Sequence, residues 1–137
     1  MPDSLPARLS ASLSYDSAPA ALGWLRAVDS EVVARQDGHD GRVTHAEVRM
    51  GEIVLMATIA DDEHTVPPLR GVSSGSGLYL LLATAAGVDG WYPRAVDAGG
   101  RTVIPPENTP WGSRRARVLD PEGHEWSAGT HQPGQAW

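Results

Sequence analysis

Seven side chains have the types and spacing to act together. His45 and Glu47 stand two apart in the alternating run 43–50, and residues two apart on a strand share a face. An imidazole beside a carboxylate can pass a proton or orient a polar ligand. Arg115 and Arg117 repeat the spacing in 113–119, and Glu125 opens the final apolar stretch. Ser12 belongs to the small polar face Ser10, Ser12, Ser14, which alternates with Leu9, Ala11, Leu13 and Tyr15. Trp111 sits in Pro110-Trp111-Gly112, with no periodic apolar partners. A ring held by Pro and Gly serves either as a stacking plate for a ligand or as a plug over the core. The charged residues also have two readings. They form a solvated ladder of cross-strand ion pairs, worth little, or they orient a polar ligand between apolar walls. Ser12, His45, Glu47, Trp111, Arg115, Arg117 and Glu125 are the candidate ligand contacts, with no catalytic role assigned.

These residues need elements to position them. Alternation predicts a strand over 9–15 with Leu9, Leu13 and Tyr15 facing helices. Ser17 caps a helix with Pro19 in its first turn, and Ala21, Leu22, Trp24, Leu25 and Val28 form its apolar side. Strands follow at 31–37, 43–50 and 53–58, the last two joined by a Gly51-Glu52 hairpin turn. Residues 60–76, with Pro67-Pro68 and a Ser/Gly run, form a long, mobile connector. A strand at 78–83 follows, with Leu78, Leu80 and Leu82 on one face. A helix then starts at Asp89 or Gly90, with Pro93 in its first turn, and stops at Gly99. A strand at 101–104, a loop at 105–112, and strands at 113–119 and 125–130 complete the chain, the last two separated by the turn Asp120-Pro121-Glu122-Gly123.

Both halves therefore run strand, helix, three strands. Arg26-Ala27-Val28-Asp29 recurs as Arg94-Ala95-Val96-Asp97, and Ala46-x-Val48 is answered by Ala116-x-Val118. Two matches in one order inside one element pattern point to an internal duplication.

Composition sets limits. At 137 residues the chain suits one domain, 1–137, and 41% apolar content with 15 glycines is that of an ordinary globular protein. The absence of cysteine excludes disulfides, zinc–thiolate sites and thiol nucleophiles. A net charge of -6 argues against a nucleic-acid partner, whose phosphates call for a basic surface, and favours a cationic ligand if any. No apolar run approaches a membrane span. The N-terminal Met1-Pro2-Asp3-Ser4 lacks the basic start of a signal peptide, so a cytoplasmic protein is expected.

The arrangement resembles the glyoxalase/bleomycin resistance protein/dioxygenase group, the vicinal oxygen chelate superfamily, and within it the bleomycin-resistance-like branch. The likeness rests on Trp24-Leu25, the stretch 41–51, Ala95-Val96-Asp97-Ala98-Gly99, the stretch 105–114 with Trp111-Gly112-Ser113-Arg114, and Asp120-Pro121-Glu122-Gly123-His124. It implies an α+β fold of two βαβββ modules (about 9–58 and 77–130, joined by 59–76 and followed by a tail 131–137), whose curved mixed sheets surround a groove, with Leu78, Leu80 and Leu82 facing it alongside Ser127, Arg115 and Arg117. It also implies pairing of modules within or between chains, with a homodimer expected. Metal-dependent relatives hold the ion with His, Glu or Gln from the first and last strand of each module. The resemblance maps those positions onto Ser10, Ala57, Leu78 and Ser127, give or take one residue, and none is a good ligand. No metal and no cofactor are expected. His39 and His64 fall in loops, His131 in the tail, and His124 beside a turn where it bonds backbone.

Three functions follow in order. The first is metal-independent binding or sequestration of a small, partly aromatic molecule, an antibiotic among the candidates. The second is a metal-free lyase or isomerase using Glu47 or Glu125 as base and His45 as acid. The third, disfavoured by the ligand positions, is a metal-dependent glyoxalase or dioxygenase.

Overall fold

The computed structural model describes residues 9–59 and 74–134, the side chain of Ile59 excepted. The elements are β1 (Ser12–Tyr15), α1 (Ala18–Ala27), β2 (Glu31–Asp37), β3 (Val43–Met50), β4 (Ile53–Ile59), β5 (Gly77–Leu81), α2 (Ala85–Asp97), β6 (Arg101–Asn108), β7 (Arg114–Leu119) and β8 (Glu125–Gly129). Two four-stranded sheets result, ordered β1-β4-β3-β2 and β5-β8-β7-β6. In each, the first pair is parallel and the others antiparallel, so the two halves share one topology. This is the α+β arrangement of two βαβββ modules.

Local chemistry explains the helices. Ser17 caps α1 by accepting from Ala20 N at 3.3 Å, and Pro19 occupies the first turn, where its missing N–H costs nothing. Helix α2 begins earlier than the sequence predicts. Thr84 is its cap, accepting from Gly87 N at 3.0 Å, and Ala85-Ala86 favour helix. Pro93 consequently lies inside α2 rather than in its first turn. It deletes one backbone bond of the ladder. The stripe Val88, Trp91 and Ala95 buries completely and holds the helix in place.

Strand β6 also exceeds its predicted length. It runs through Pro105 and Pro106 to Asn108, with register shifts between Thr102 and Glu107. As the outermost strand it can lose ladder donors that a central strand could not. Strand β1 is shorter than expected, and Leu9 is 92% exposed rather than tucked under a helix.

Both sheets turn one face to the helices. Leu22, Trp24 and Leu25 of α1 and Val88, Trp91 and Ala95 of α2 join Val43, Ala46 and Val48 from one sheet and Ala116, Val118, Trp126 and Ala128 from the other in one core. The repeated pairs Ala46/Val48 and Ala116/Val118 thus occupy matching buried places on β3 and β7. The rings of Trp24 and Trp126 meet at 5.3 Å, and Trp24 Nε1 donates to Ala95 O at 3.0 Å. Arg94 Nη2 bridges to Asp29 Oδ2 at 2.7 Å, joining the C-terminal ends of the two helices where the duplicated motif sits.

Candidate functional site

The faces turned away from the helices carry the chemistry. On the second sheet, Tyr79, Arg117 and Ser127 lie in register across β5, β8 and β7. Arg115 lies opposite Gly129, and Glu125 opposite Leu119. Leu78, Leu80 and Leu82 were expected on this face, but they pack against the core instead. The strand is displaced by one residue from the expected phase, and a slip of one exchanges its faces.

Above this face the loop 109–113 closes on itself. Thr109 N donates to Ser113 O at 2.8 Å, Ser113 N donates to Thr109 Oγ1 at 3.1 Å, and the two hydroxyls lie 2.9 Å apart. Gly112 has φ +86, a left-handed conformation that favours glycine. The loop lifts Trp111 out of the core, leaving the ring 44% exposed. Arg115 Cζ lies 5.6 Å from the Trp111 ring centre, within cation–π range.

Together they border a cavity of about 200 Å³, lined by Tyr79, Thr109, Trp111, Ser113, Arg114, Arg115, Arg117, Ser127 and His131. Arg114 and Arg115 are steadied from outside that lining, and Arg117 from within it. Arg114 Nε donates to Asp89 Oδ1 at 2.6 Å, and Arg115 Nη2 lies 2.8 Å from Glu107 Oε1. Arg117 Nε donates to Ser127 Oγ at 2.8 Å, with the nearest Glu125 oxygen at 4.0 Å. Glu125 is itself buried and accepts from Ser74 N at 3.1 Å. Tyr79 OH donates to His131 O at 2.6 Å, and partial burial pushes its phenol above the usual tyrosine range. The ring lies over Gly129, where a Cβ would come within 2.6 Å of the phenol oxygen, so only glycine lets Tyr79 lie there.

The structure therefore divides the predicted residues. Trp111, Arg115 and Arg117 meet at this cavity, with Glu125 beside Arg117. Ser12, His45 and Glu47 lie on the outer face of the first sheet, where Ser12 and Glu47 both register with Met56. His45 Nε2 is 3.3 Å from Glu47 Oε2. An acid–base pair of His45 with Glu125 would need groups from different sheets. Tyr79, His131 and the Thr109–Ser113 clamp were missed. The polar i, i+4 pair around Pro110-Trp111-Gly112 was a readable sign of a closed turn.

A second, larger groove of about 960 Å³ runs between the segment 9–11, the β3–β4 hairpin and β5, with Trp91 and Trp126 among its lining. Leu78, Leu80 and Leu82 reach this groove, and exposed Leu9, Ile53, Tyr79 and Leu81 border it. Strands β1 and β5 are the outermost of their sheets.

The chain belongs to the Glyoxalase/Bleomycin resistance protein/Dioxygenase superfamily, whose family model matches residues 11–128. An uncharacterized protein of Mycobacterium bovis is 34% identical over 128 residues, covering 88% of this chain and 81% of its own. Among solved structures, TioX from Micromonospora sp. ML1 superposes with a TM-score of 0.71 at 26% identity, covering 93% of this chain and 100% of its own. Lactoylglutathione lyase from Agrobacterium tumefaciens superposes with a TM-score of 0.64 at 22% identity, over 92% and 94% of the two chains, and shows the fold alone.

The superfamily includes metal-dependent members, and the outer faces allow the donor set to be tested. Of the mapped positions, Ser10 donates its hydroxyl to Val54 O, so the outward position nearest it in the β1–β4 register is Ser12, while Ala57 is in the core and Leu78 packs against it. Their neighbours Met56 and Tyr79 register with Ser12 and Ser127 on the outer faces. Two hydroxyls, a thioether and a phenol do not fit a divalent ion. Among the described residues, no three His, Asp or Glu side chains converge to hold a metal. Nor is any helix among them long and apolar enough to cross a membrane.

Proposed function

We propose that this chain binds and sequesters a small, partly aromatic molecule in the cytoplasm, without a metal, and that an antibiotic is one candidate ligand. The observation that carries the reading is Trp111. A loop locked by Thr109 and Ser113 holds its ring half-exposed at the rim of a cavity with polar groups on its floor. Pockets for small molecules combine an aromatic or apolar wall with a few fixed polar groups. The donor set at the mapped metal positions supports metal independence. A thermal-shift panel of aromatic small molecules, repeated with Trp111→Ala, tests it. Stabilisation of the wild type that the variant loses is expected; identical shifts in both would remove Trp111 from the site.

A homodimer accompanies this reading. Within one chain the two chemical faces lie on separate sheets. The large groove is bordered by four exposed apolar side chains and two outermost strands, features that call for cover. A two-fold partner would cover it and could set the His45–Glu47 face of one chain against the Trp111 cavity of the other.

The contact between His45 and Glu47 favours one alternative, metal-free acid–base catalysis by a lyase or isomerase. Conversion of a bound molecule, followed by mass spectrometry, separates it from sequestration.

A further inference from the structure

The cavity lining is opposite in sign to the whole molecule. Net charge is -6, yet the lining presents Arg115 and Arg117 and no carboxylate, while Arg114 turns its guanidinium to Asp89 of α2. Asp89, Glu107 and Glu125, which steady the arginines, are not part of that lining. Arg117 is the least compensated. Its hydrogen bond goes to the neutral Ser127 hydroxyl, the nearest carboxylate oxygen is 4.0 Å away, and its side chain is 32% exposed. A guanidinium carries five N–H donors in a planar fork suited to a carboxylate. Partly withdrawn from water, it attracts an anion more strongly than a solvated one does.

The same cavity presents the Trp111 ring, already engaged by Arg115. A dry cavity of roughly 150 Å³ accepts benzene, so about 200 Å³ accommodates one ring, or an offset pair projecting through the mouth, together with one carboxylate. We infer that the ligand is an aromatic anion, its ring against Trp111 and its carboxylate at Arg117. This rests on the binding reading above and names its ligand class. A cationic ligand, which the overall charge favoured, would meet the guanidinium groups of Arg115 and Arg117.

Isothermal titration of the full chain at low salt with 1-naphthoate, 1-naphthamide and 1-naphthylmethylamine tests it, because the ring is constant and only the charge changes. Naphthoate is expected to bind at least tenfold more tightly than the amide, with the amine weakest. Arg117→Gln should erase the naphthoate advantage over the amide, Arg117→Lys should restore part of it, and Trp111→Ala should weaken all three. Circular-dichroism melts check that each variant folds. If the amide or amine binds as tightly as naphthoate, the anion inference is overturned and the aromatic-site reading stands. If none binds at millimolar concentration, both fall.

Discussion

Tyr15 OH donates a 2.7 Å hydrogen bond to Asp120 Oδ2, joining residues 105 apart in sequence. The carboxylate is almost fully buried and also accepts from Trp126 Nε1 at 3.1 Å and from the backbone of Glu122 and His124, each at 3.0 Å. Around it, Glu122 receives the backbone N–H groups of Asp16 and Ser17, and His124 Nε2 lies 2.9 Å from Ser14 O. The turn between β7 and β8 thus fastens the entry to α1. Tyr15→Phe leaves Asp120 three N–H donors and should cost about 1–2 kcal/mol. Asp120→Ala strands the buried Tyr15 and Trp126 donors and should cost more, about 2–5 kcal/mol. Urea melts measure both, and an Asp120 variant as stable as wild type would remove this network from the account of stability.

Burial and the neighbouring Asp120 charge hold the Tyr15 phenol well above the ordinary tyrosine range. A raised folded pKa means that the native state keeps its proton after the unfolded chain has lost it. The contribution is complete below pH ~10 and declines as pH climbs past the unfolded value. Wild-type melting temperature should therefore fall between pH 9 and 11, and Tyr15→Phe should flatten that fall. Parallel slopes for the two proteins would contradict the assignment.

Trp111 and Trp126 should respond oppositely to truncation. Trp126 is wholly buried, and its alanine variant should lose ~3–5 kcal/mol. Trp111→Ala should lose less than ~1 kcal/mol of stability and instead weaken ligand binding by ~1–3 kcal/mol. Equal, large stability losses would falsify the stacking role.

Elemental analysis of purified protein should find no stoichiometric nickel, zinc, iron or manganese, and chelator should leave the melting temperature unchanged. One metal per chain would require donors other than Ser12, Met56, Tyr79 and Ser127.

Sedimentation equilibrium at micromolar protein should give a dimer. Leu81→Glu, on the outermost strand β5 at the large groove, should shift it to monomer while preserving the circular-dichroism spectrum. A wild type that stays monomeric at every concentration would count against the assembly.

Most of the fold was legible because its signals are local. Ser17 before an apolar 3.6-residue pattern fixed α1, and β2 and β3 were bounded correctly by alternation and Gly turns. The errors arose where tertiary context overrode a local rule. Pro93 and Pro105-Pro106 look like breakers, yet a fully buried stripe in one case and an edge position in the other tolerate them. Strand β5 has leucines at 78, 80 and 81 and another follows at 82, so the pattern of apolarity leaves its phase undetermined; only pairing with β8 set Tyr79 beside Ser127. For the candidate site, the two-residue spacing was enough to put Arg115 and Arg117 on one face, and both border the cavity. His131 was not recognisable, because Tyr79 brings it to the cavity through a backbone carbonyl, which no side-chain pattern encodes. The connector expected at 60–76 lies outside the described residues up to 73.

The placement of the indoles has an optical consequence. Trp24, Trp91 and Trp126 are buried, whereas Trp111 is half-exposed. Emission from the first three should be blue-shifted and shielded from iodide. That from Trp111 should be red-shifted and readily quenched. Subtracting the spectrum of Trp111→Ala from the wild-type spectrum isolates the indole at the cavity, so the protein carries an intrinsic fluorophore there and needs no dye to report occupancy.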